Sequence, residues 1–178
     1  MNLPNKLTMM RVVLIPVYLV LWHLEFPGNN YAALTVFIVA SLTDFLDGYI
    51  ARKHNLVTDF GKFMDPLADK MLVMAALIVF VELGRLPAWA VLIVVVREFA
   101  VTALRLIAVE GGRVIAAGWS GKIKTASTMV CLALMHLWGE PSVMGTLDWV
   151  CVAVIAATTL YSGVEYFVKN QDVLNWNK

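Results

Sequence analysis

Charge is scarce in this chain of 178 residues, since 15% of them are charged and 60% are hydrophobic. Soluble domains carry about 25% charged residues, so the composition excludes an ordinary soluble domain and predicts one integral membrane domain over residues 1–178. The formal net charge is only +1, so bulk charge predicts no nucleic-acid partner. The two cysteines, Cys131 and Cys151, lie in apolar runs, which argues against a disulfide framework or a zinc site.

A cleavage signal is also missing. No small-x-small motif comes after the first apolar run, so the run is predicted to be a retained transmembrane helix and not a signal peptide. Turn clusters at Phe26–Asn30, Gly84–Pro87 and Gly139–Ser142 punctuate the chain. Six apolar segments are long enough to cross about 30 Å of hydrocarbon, which needs about 20 helical residues. They are Leu7–Leu24, Tyr31–Ala51, Asp65–Leu83, Pro87–Ala108, Lys124–Trp138 (which could begin as early as Trp119) and Leu147–Val168.

The basic residues predict an orientation for this all-α architecture of six transmembrane helices. Outside the segments, lysine and arginine fall almost entirely in the termini and in the second and fourth connections. The opposite set of connections holds only Arg85. Because positive charge is retained on the cytoplasmic side, both termini are predicted to be cytoplasmic.

Four aspartates, Asp44, Asp47, Asp65 and Asp69, form a spaced array near the predicted cytoplasmic interface. Carboxylates at membrane depth are costly, rare and usually functional. Spacings of three and four residues put each pair on one face of a helix. Carboxylates gathered on two neighbouring helices would repel one another unless a cation lay between them. Oxygen-only ligands favour Mg²⁺ or Mn²⁺, so the array predicts a divalent metal site.

Carboxylate-held metals at a membrane interface suit phosphoryl transfer, because two ions can clamp a pyrophosphate. Gly48 and Gly61 remove side chains where a ligand could approach the backbone. Arg52 lies one turn beyond Gly48, where its guanidinium could bind a phosphate through two parallel hydrogen bonds. One of the carboxylates could instead take a proton from an attacking hydroxyl.

These residues carry a family resemblance. The stretch Asp44–Asp69 matches the signature of the CDP-alcohol phosphatidyltransferases, D-x2-D-G-x2-A-R-x8-G-x3-D-x3-D. The stretch Asn5–Arg11 resembles the amino-terminal part of that family. Arg97–Arg105 and Gly121–Thr125 resemble its bacterial phosphatidylglycerophosphate synthase branch.

The resemblance implies the CDP-alcohol phosphotransferase fold and a homodimeric enzyme of the bacterial inner membrane, with its active site facing the cytoplasm. It implies transfer of the phosphatidyl group of CDP-diacylglycerol to sn-glycerol 3-phosphate, with release of CMP. Two Mg²⁺ or Mn²⁺ ions are implied, and Asp69 matches the general base. The implied metal ligands are Asp44, Asp47, Asp65 and Asp69. The implied CDP-binding positions are Asp44, Gly48, Arg52 and Gly61.

The acceptor's own phosphate needs cations, for which the candidates are Arg105, Lys122 and Lys124. They lie at the predicted cytoplasmic end of the fourth helix and the start of the fifth, whose N–H groups also suit an anion. Their alternative role is ordinary positive charge on the cytoplasmic side. Inositol phosphate, serine or phosphatidylglycerol are alternative acceptors, although this basic region favours a phosphorylated one.

A function of another class, divalent-cation transport, also stays open, because buried acids can mark ion pathways. Against it, the acids lie near one interface, and the chain has no internal repeat.

Arg97 and Glu98 lie midway along the fourth segment. Because adjacent helical residues point in different directions, each is predicted to find a partner other than its neighbour.

Overall fold

Helices make up most of the structure, a computed structural model that describes residues 3–24, 26–53, 58–116, 118–138 and 144–173. Within these ranges, the side chains of residues 3–4, 44–49, 51–53, 59, 62–63 and 65–66 lie outside the description. The described residues form six α-helices and one short 3₁₀ helix, with no strand among them, so the all-α prediction is confirmed for this part of the chain. The helices are α1 (Leu3–His23), α2 (Asn29–Lys53), α3 (Asp59–Glu82), α4 (Ala88–Glu110), α5 (Trp119–Leu137), α6 (Thr146–Lys169) and the 3₁₀ helix Gln171–Val173.

The third helix begins six residues before the predicted start at Asp65. Thr58 precedes its first residue, and Thr58 Oγ1 accepts a hydrogen bond from the Gly61 N–H at 3.0 Å. This is the bond of a helix N-cap, for which threonine is a preferred residue. Hydropathy detects only the apolar part of the helix and so misses its polar first turns. Pro66 therefore lies about two turns inside α3.

Two of the three predicted turn clusters are confirmed. Gly28 and Gly84 have φ values of +85° and +70°, in the left-handed region that glycine adopts at low cost. They lie in the connections between α1 and α2 and between α3 and α4. The third cluster, Gly139–Ser142, lies outside the described residues.

The chain divides into two compact units, of which the first comprises Met1–Glu82 and His136–Trp138. Here α1 packs against both α2 and α3. Its core includes an aromatic cluster around His136, which is 2% exposed. Tyr18 Oη lies 3.0 Å from His136 Nε2, and the Phe80 ring stands edge-on to the imidazole with centroids 4.9 Å apart. Edge-to-face contacts of this kind are favourable because the ring edge is positive and the ring face negative.

The second unit comprises Leu83–Met135 and Gly139–Lys178. Its helices α4 and α6 pack through a small core of Val101, Leu104 and Tyr166. A buried ion pair lies between the start of this unit and α6. Arg85 donates from Nη2 to Asp148 Oδ1 at 2.6 Å and from Nε to Oδ2 at 3.2 Å. Arg85 Nη1 also donates to the Met135 carbonyl at 2.7 Å, so this arginine ties together three separate parts of the unit.

Two helices among the described residues are long and apolar enough to cross a membrane, Asn5–His23 and Thr146–Lys169. Large apolar side chains also face outward, including Phe99 at 72% exposure. Extensive exposed apolar surface on helices is typical of a site that contacts a membrane or another protein. These helices and the composition indicate a membrane-associated protein, whereas the six spans remain a prediction.

Candidate active site

The signature is carried by two helices of the first unit. Residues 44–53 form the end of α2, and Gly61, Asp65 and Asp69 lie on α3. The helical backbone is what the spacing argument assumes for both pairs of aspartates. Gly61 and Asp69 are described in full. The side chains of the remaining predicted site residues of the signature lie outside the described part of the structure. They are Asp44, Asp47, Gly48, Arg52 and Asp65.

The start of α3 is held by a chain of three residues. The Thr58 hydroxyl donates to Asn5 Oδ1 at 2.9 Å and accepts from the Gly61 N–H at 3.0 Å. Gly61 is buried, and Asn5 is 8% exposed. Asp69 is half-buried and lies about two turns after Gly61. The amino-terminal stretch that resembles the family thus contacts the beginning of the helix that carries half of the signature.

Three predicted acceptor-site bases lie in the second unit and differ in their surroundings. Lys122 is exposed, with Nζ 4.9 Å from the centroid of the Trp119 ring. Arg105 is half-buried, and its Nε donates to Tyr166 Oη at 2.8 Å. Lys124 is 4% exposed, and its ammonium donates to Glu98 Oε1 at 2.7 Å. Lys122 and Arg105 therefore reach the surface of their unit, whereas Lys124 is buried and forms an ion pair with half-buried Glu98.

Glu98 lies at the centre of a polar cluster that links α4, α5 and α6. Its Oε1 accepts from Arg97 Nη1 at 2.9 Å as well as from Lys124. Arg97 also donates from Nη2 to Ser162 Oγ at 2.6 Å. A Cβ atom on Gly163 would lie 3.3 Å from Arg97 Cγ, so the glycine makes room for the arginine.

The prediction that Arg97 and Glu98 each find a partner other than the neighbour is confirmed, by Ser162 and by Lys124. The prediction that the two do not pair with each other is wrong. The arginine side chain is long enough to reach back to the carboxylate of the adjacent residue. The pairing of Lys124 with Glu98 was missed, because 26 residues separate the two in the chain. The signal that could have found it is a lysine and a glutamate, each in an apolar segment that predicts a buried helix, because buried charges are paired.

Comparison with known proteins agrees with these motifs. The family model for CDP-alcohol phosphatidyltransferases matches residues 1–161, which include the whole signature. The chain belongs to the CDP-alcohol phosphatidyltransferase family. Members of this family generally depend on divalent cations. This dependence agrees with an array of acids in an otherwise apolar chain.

Two relatives extend the similarity along the chain. A protein of Bacillus subtilis (strain 168) named CDP-diacylglycerol--glycerol-3-phosphate 3-phosphatidyltransferase is 43% identical over 187 residues, which cover 97% of each chain. A protein of Escherichia coli (strain K12) with the same name is 37% identical over 172 residues, covering 93% of this chain and 92% of the relative. Similarity at this level spans both units of the structure.

The donor set of the signature fits a divalent cation. Four carboxylates on two helices supply only oxygen ligands, which are the ligands that Mg²⁺ and Mn²⁺ prefer. The described part of the chain has no other group of three or more histidine, cysteine, aspartate or glutamate side chains placed to hold a metal. The proposed function assigns the metal to the signature aspartates because of this donor set and because family members generally depend on divalent cations.

Proposed function

We propose that this protein transfers the phosphatidyl group of CDP-diacylglycerol to sn-glycerol 3-phosphate, giving phosphatidylglycerol phosphate and CMP. The observation that carries this proposal is the 43% identity over 97% of both chains to a relative whose name states this reaction. The unbroken signature Asp44–Asp69 also supports it, because the aspartates supply the oxygen ligands that a metal-assisted transfer needs.

In our proposal the residues of the signature bind the metal ions and the CDP part of the donor, and one of them takes the proton of the acceptor. Asp44, Asp47 and Asp65 hold two Mg²⁺ or Mn²⁺ ions, with Asp69 as a further ligand. The bound ions supply neutralising charge for the donor pyrophosphate. The CDP part lies against Asp44, Gly48, Arg52 and Gly61.

The reaction then requires one proton transfer and one exchange of bonds at phosphorus. Asp69 takes the proton of the primary hydroxyl of glycerol 3-phosphate. The resulting oxygen attacks the phosphorus that bears diacylglycerol, the bond from that phosphorus to the bridging oxygen breaks, and CMP leaves. Positioning and charge supply most of the acceleration in phosphoryl transfer, so few further catalytic groups are needed.

The acceptor phosphate is assigned to Arg105 and Lys122, with Lys124 as a third candidate. The surroundings of these residues support that order. Arg105 and Lys122 reach the surface of their unit, whereas the Lys124 ammonium already donates to Glu98. An anion could engage Lys124 only by competing with that carboxylate or by sharing the ammonium with it.

The proposal also includes a location and an assembly. The chain forms one catalytic domain with six transmembrane helices and both termini in the cytoplasm, and it acts as a homodimer in the bacterial inner membrane. The bias of lysine and arginine toward one set of connections supports this orientation. It puts the signature on the cytoplasmic side, where a soluble acceptor such as glycerol 3-phosphate is available.

The decisive experiment measures CMP release from CDP-diacylglycerol by the purified protein in detergent with Mg²⁺. The acceptors to compare are sn-glycerol 3-phosphate, inositol phosphate and serine. We expect release with glycerol phosphate alone, and its loss in the Asp69→Asn variant with CDP binding retained. Release with another acceptor would keep the reaction and change the substrate. No release from a folded, reconstituted protein, together with Mn²⁺ flux into proteoliposomes, would support transport instead.

A further inference from the structure

The stretch Asn5–Arg11 resembles the family but has no role in the proposed reaction. In the structure it contributes one end of a short chain of hydrogen bonds. Asn5 Oδ1 accepts from the Thr58 hydroxyl at 2.9 Å, and Thr58 Oγ1 accepts from the Gly61 N–H at 3.0 Å. Asn5 lies in α1, Thr58 precedes α3, and Gly61 is in the first turn of α3.

This chain of hydrogen bonds joins two separate elements at a buried point. Asn5 is 8% exposed, Thr58 is half-buried and Gly61 is buried. The threonine hydroxyl has one proton to donate, and it donates that proton to the amide oxygen of Asn5. Its lone pair is thereby directed to the Gly61 N–H, so the asparagine fixes the rotamer that caps the helix.

The position of this cap matters because two signature aspartates lie just beyond it on α3. Asp65 lies about one turn after Gly61, and Asp69 lies about one turn after Asp65. A rotation or shift at the first turn of α3 carries through to the backbone of Asp65. It reaches Asp69 through the turn that contains Pro66, whose missing N–H removes one hydrogen bond from the helix. The cap therefore acts on the signature aspartates through the helix, although neither Asn5 nor Thr58 is one of the fixed positions of the signature.

We propose that Asn5 and Thr58 are positioning residues for the metal-binding half of α3. Through the Asn5–Thr58–Gly61 hydrogen bonds, α1 sets the rotation and height of the helix that presents Asp65 and Asp69. The inference rests on the proposed function, since it assumes that those aspartates bind a metal. It predicts that the amino-terminal stretch is required for metal affinity and not only for folding.

A purely structural cap predicts something different. Loss of an N-cap lowers helix stability whatever the helix carries, so it would lower the melting temperature and leave the metal affinity of the folded protein unchanged. Residues that orient metal ligands without touching the metal behave otherwise, and their replacement costs about 10- to 100-fold in metal affinity or activity. Metal affinity measured on folded protein separates the two roles.

The test compares the full-length protein with Asn5→Ala, Thr58→Val and Thr58→Ser in detergent. Mn²⁺ alone is titrated and its free concentration is monitored by electron paramagnetic resonance, while melting temperature and CMP release are measured on the same samples. Thr58→Ser keeps the hydroxyl and serves as the conservative rescue. Thr35→Val is the matched control, because Thr35 also donates a hydroxyl hydrogen bond, to the Tyr31 carbonyl at 2.8 Å, on α2 outside the signature.

We expect Thr58→Val and Asn5→Ala each to weaken Mn²⁺ binding by about 10-fold or more. Thr58→Ser and Thr35→Val should match the parent protein. Combining Asn5→Ala with Thr58→Val should add little, because both act through one chain of contacts. If Thr58→Val does not fold, Asn5→Ala decides, since it keeps the Thr58 hydroxyl and removes only the acceptor that orients it.

Unchanged Mn²⁺ affinity in folded Asn5→Ala and Thr58→Val, with the parent protein binding Mn²⁺ and releasing CMP, overturns the positioning role alone. A parent protein that neither binds Mn²⁺ nor releases CMP overturns the proposed function, and the positioning role with it. A lower melting temperature with unchanged metal affinity assigns the contact to stability only.

Discussion

Four polar contacts, two from each unit, differ in kind. In the first unit, Asn5–Thr58 and Tyr18–His136 join hydroxyl, amide and ring groups. In the second unit, Arg85–Asp148 and Lys124–Glu98 join opposite charges. A buried or half-buried acid in this protein is therefore not by itself evidence of a metal site. Asp148 and Glu98 neutralise bases, whereas the metal assignment of the signature rests on spacing and family membership.

The largest effect is expected in the first unit. Replacing Asp44, Asp47 or Asp65 with asparagine should lower the rate of CMP release by about 10³-fold, because a metal supplies several kcal/mol of charge stabilisation. Mn²⁺ affinity should fall with it. The matched control is Asp172→Asn, which makes the same change at an exposed acid of the second unit. Normal activity in any signature variant would remove that aspartate from the ligand set.

In the second unit, loss of a buried carboxylate should lower the stability of the fold and leave metal binding unchanged. Asp148→Asn leaves the Arg85 charge buried without its carboxylate, which costs about 3–5 kcal/mol in comparable proteins. We expect a clearly lower melting temperature in detergent, with Mn²⁺ affinity unchanged in the fraction that stays folded. A variant as stable as the parent protein would show that the Met135 carbonyl or other groups suffice to hold Arg85.

The three bases of the second unit should separate into two kinds. Arg105→Ala and Lys122→Ala should raise KM for glycerol 3-phosphate about 10-fold, the loss of one charge-assisted hydrogen bond, and leave KM for the lipid donor unchanged. Lys124→Ala should mainly lower the melting temperature, because it deprives half-buried Glu98 of one of its two described cations. Steady-state kinetics with each substrate varied in turn measures the difference. Equal effects on both substrates would contradict an acceptor site at these residues.

The smallest effect is expected at the exposed ion pair between Arg113 and Asp172. Both side chains are at least half exposed, and exposed pairs contribute about 0–1 kcal/mol. Asp172→Asn should therefore leave the melting temperature within about 4 °C of that of the parent protein. Set beside Asp148→Asn, it compares the same chemical change in a buried and an exposed pair. A large loss of stability here would mean that the 3₁₀ helix Gln171–Val173 anchors the end of α6 more firmly than its exposure indicates.

Much of the fold could be predicted because apolar runs and turn residues are local properties. The helices and the turns at Gly28 and Gly84 are consequences of hydropathy and of the conformational freedom of glycine. The start of α3 could not be predicted in this way. It depends on the Thr58 cap, which is part of a contact with Asn5, 53 residues earlier in the chain. Hydropathy has no means of detecting such a contact.

The site divides in the same manner. The metal array could be read from the chain because its aspartates lie three or four residues apart on single helices, so their spacing alone puts each pair on one face. The environment of the bases could not be read, since Lys124 and Arg105 look equivalent until Glu98 and Tyr166 are in place. Sequence alone likewise excluded a pair between Arg97 and Glu98, because it described directions along a helix and not the reach of a long side chain.

The amino-acid sequence by itself determined the membrane character, the helical class and the chemistry of the signature. Each of these three properties depends on composition or on spacing within one helix. Composition and spacing stay the same however the helices are arranged. The tertiary structure decided which bases are neutralised, which helix start is capped, and how the amino-terminal stretch contacts the helix that carries Asp65 and Asp69. These outcomes depend on hydrogen bonds and ion pairs between residues far apart in the chain, and only packing brings such residues within about 3 Å of each other.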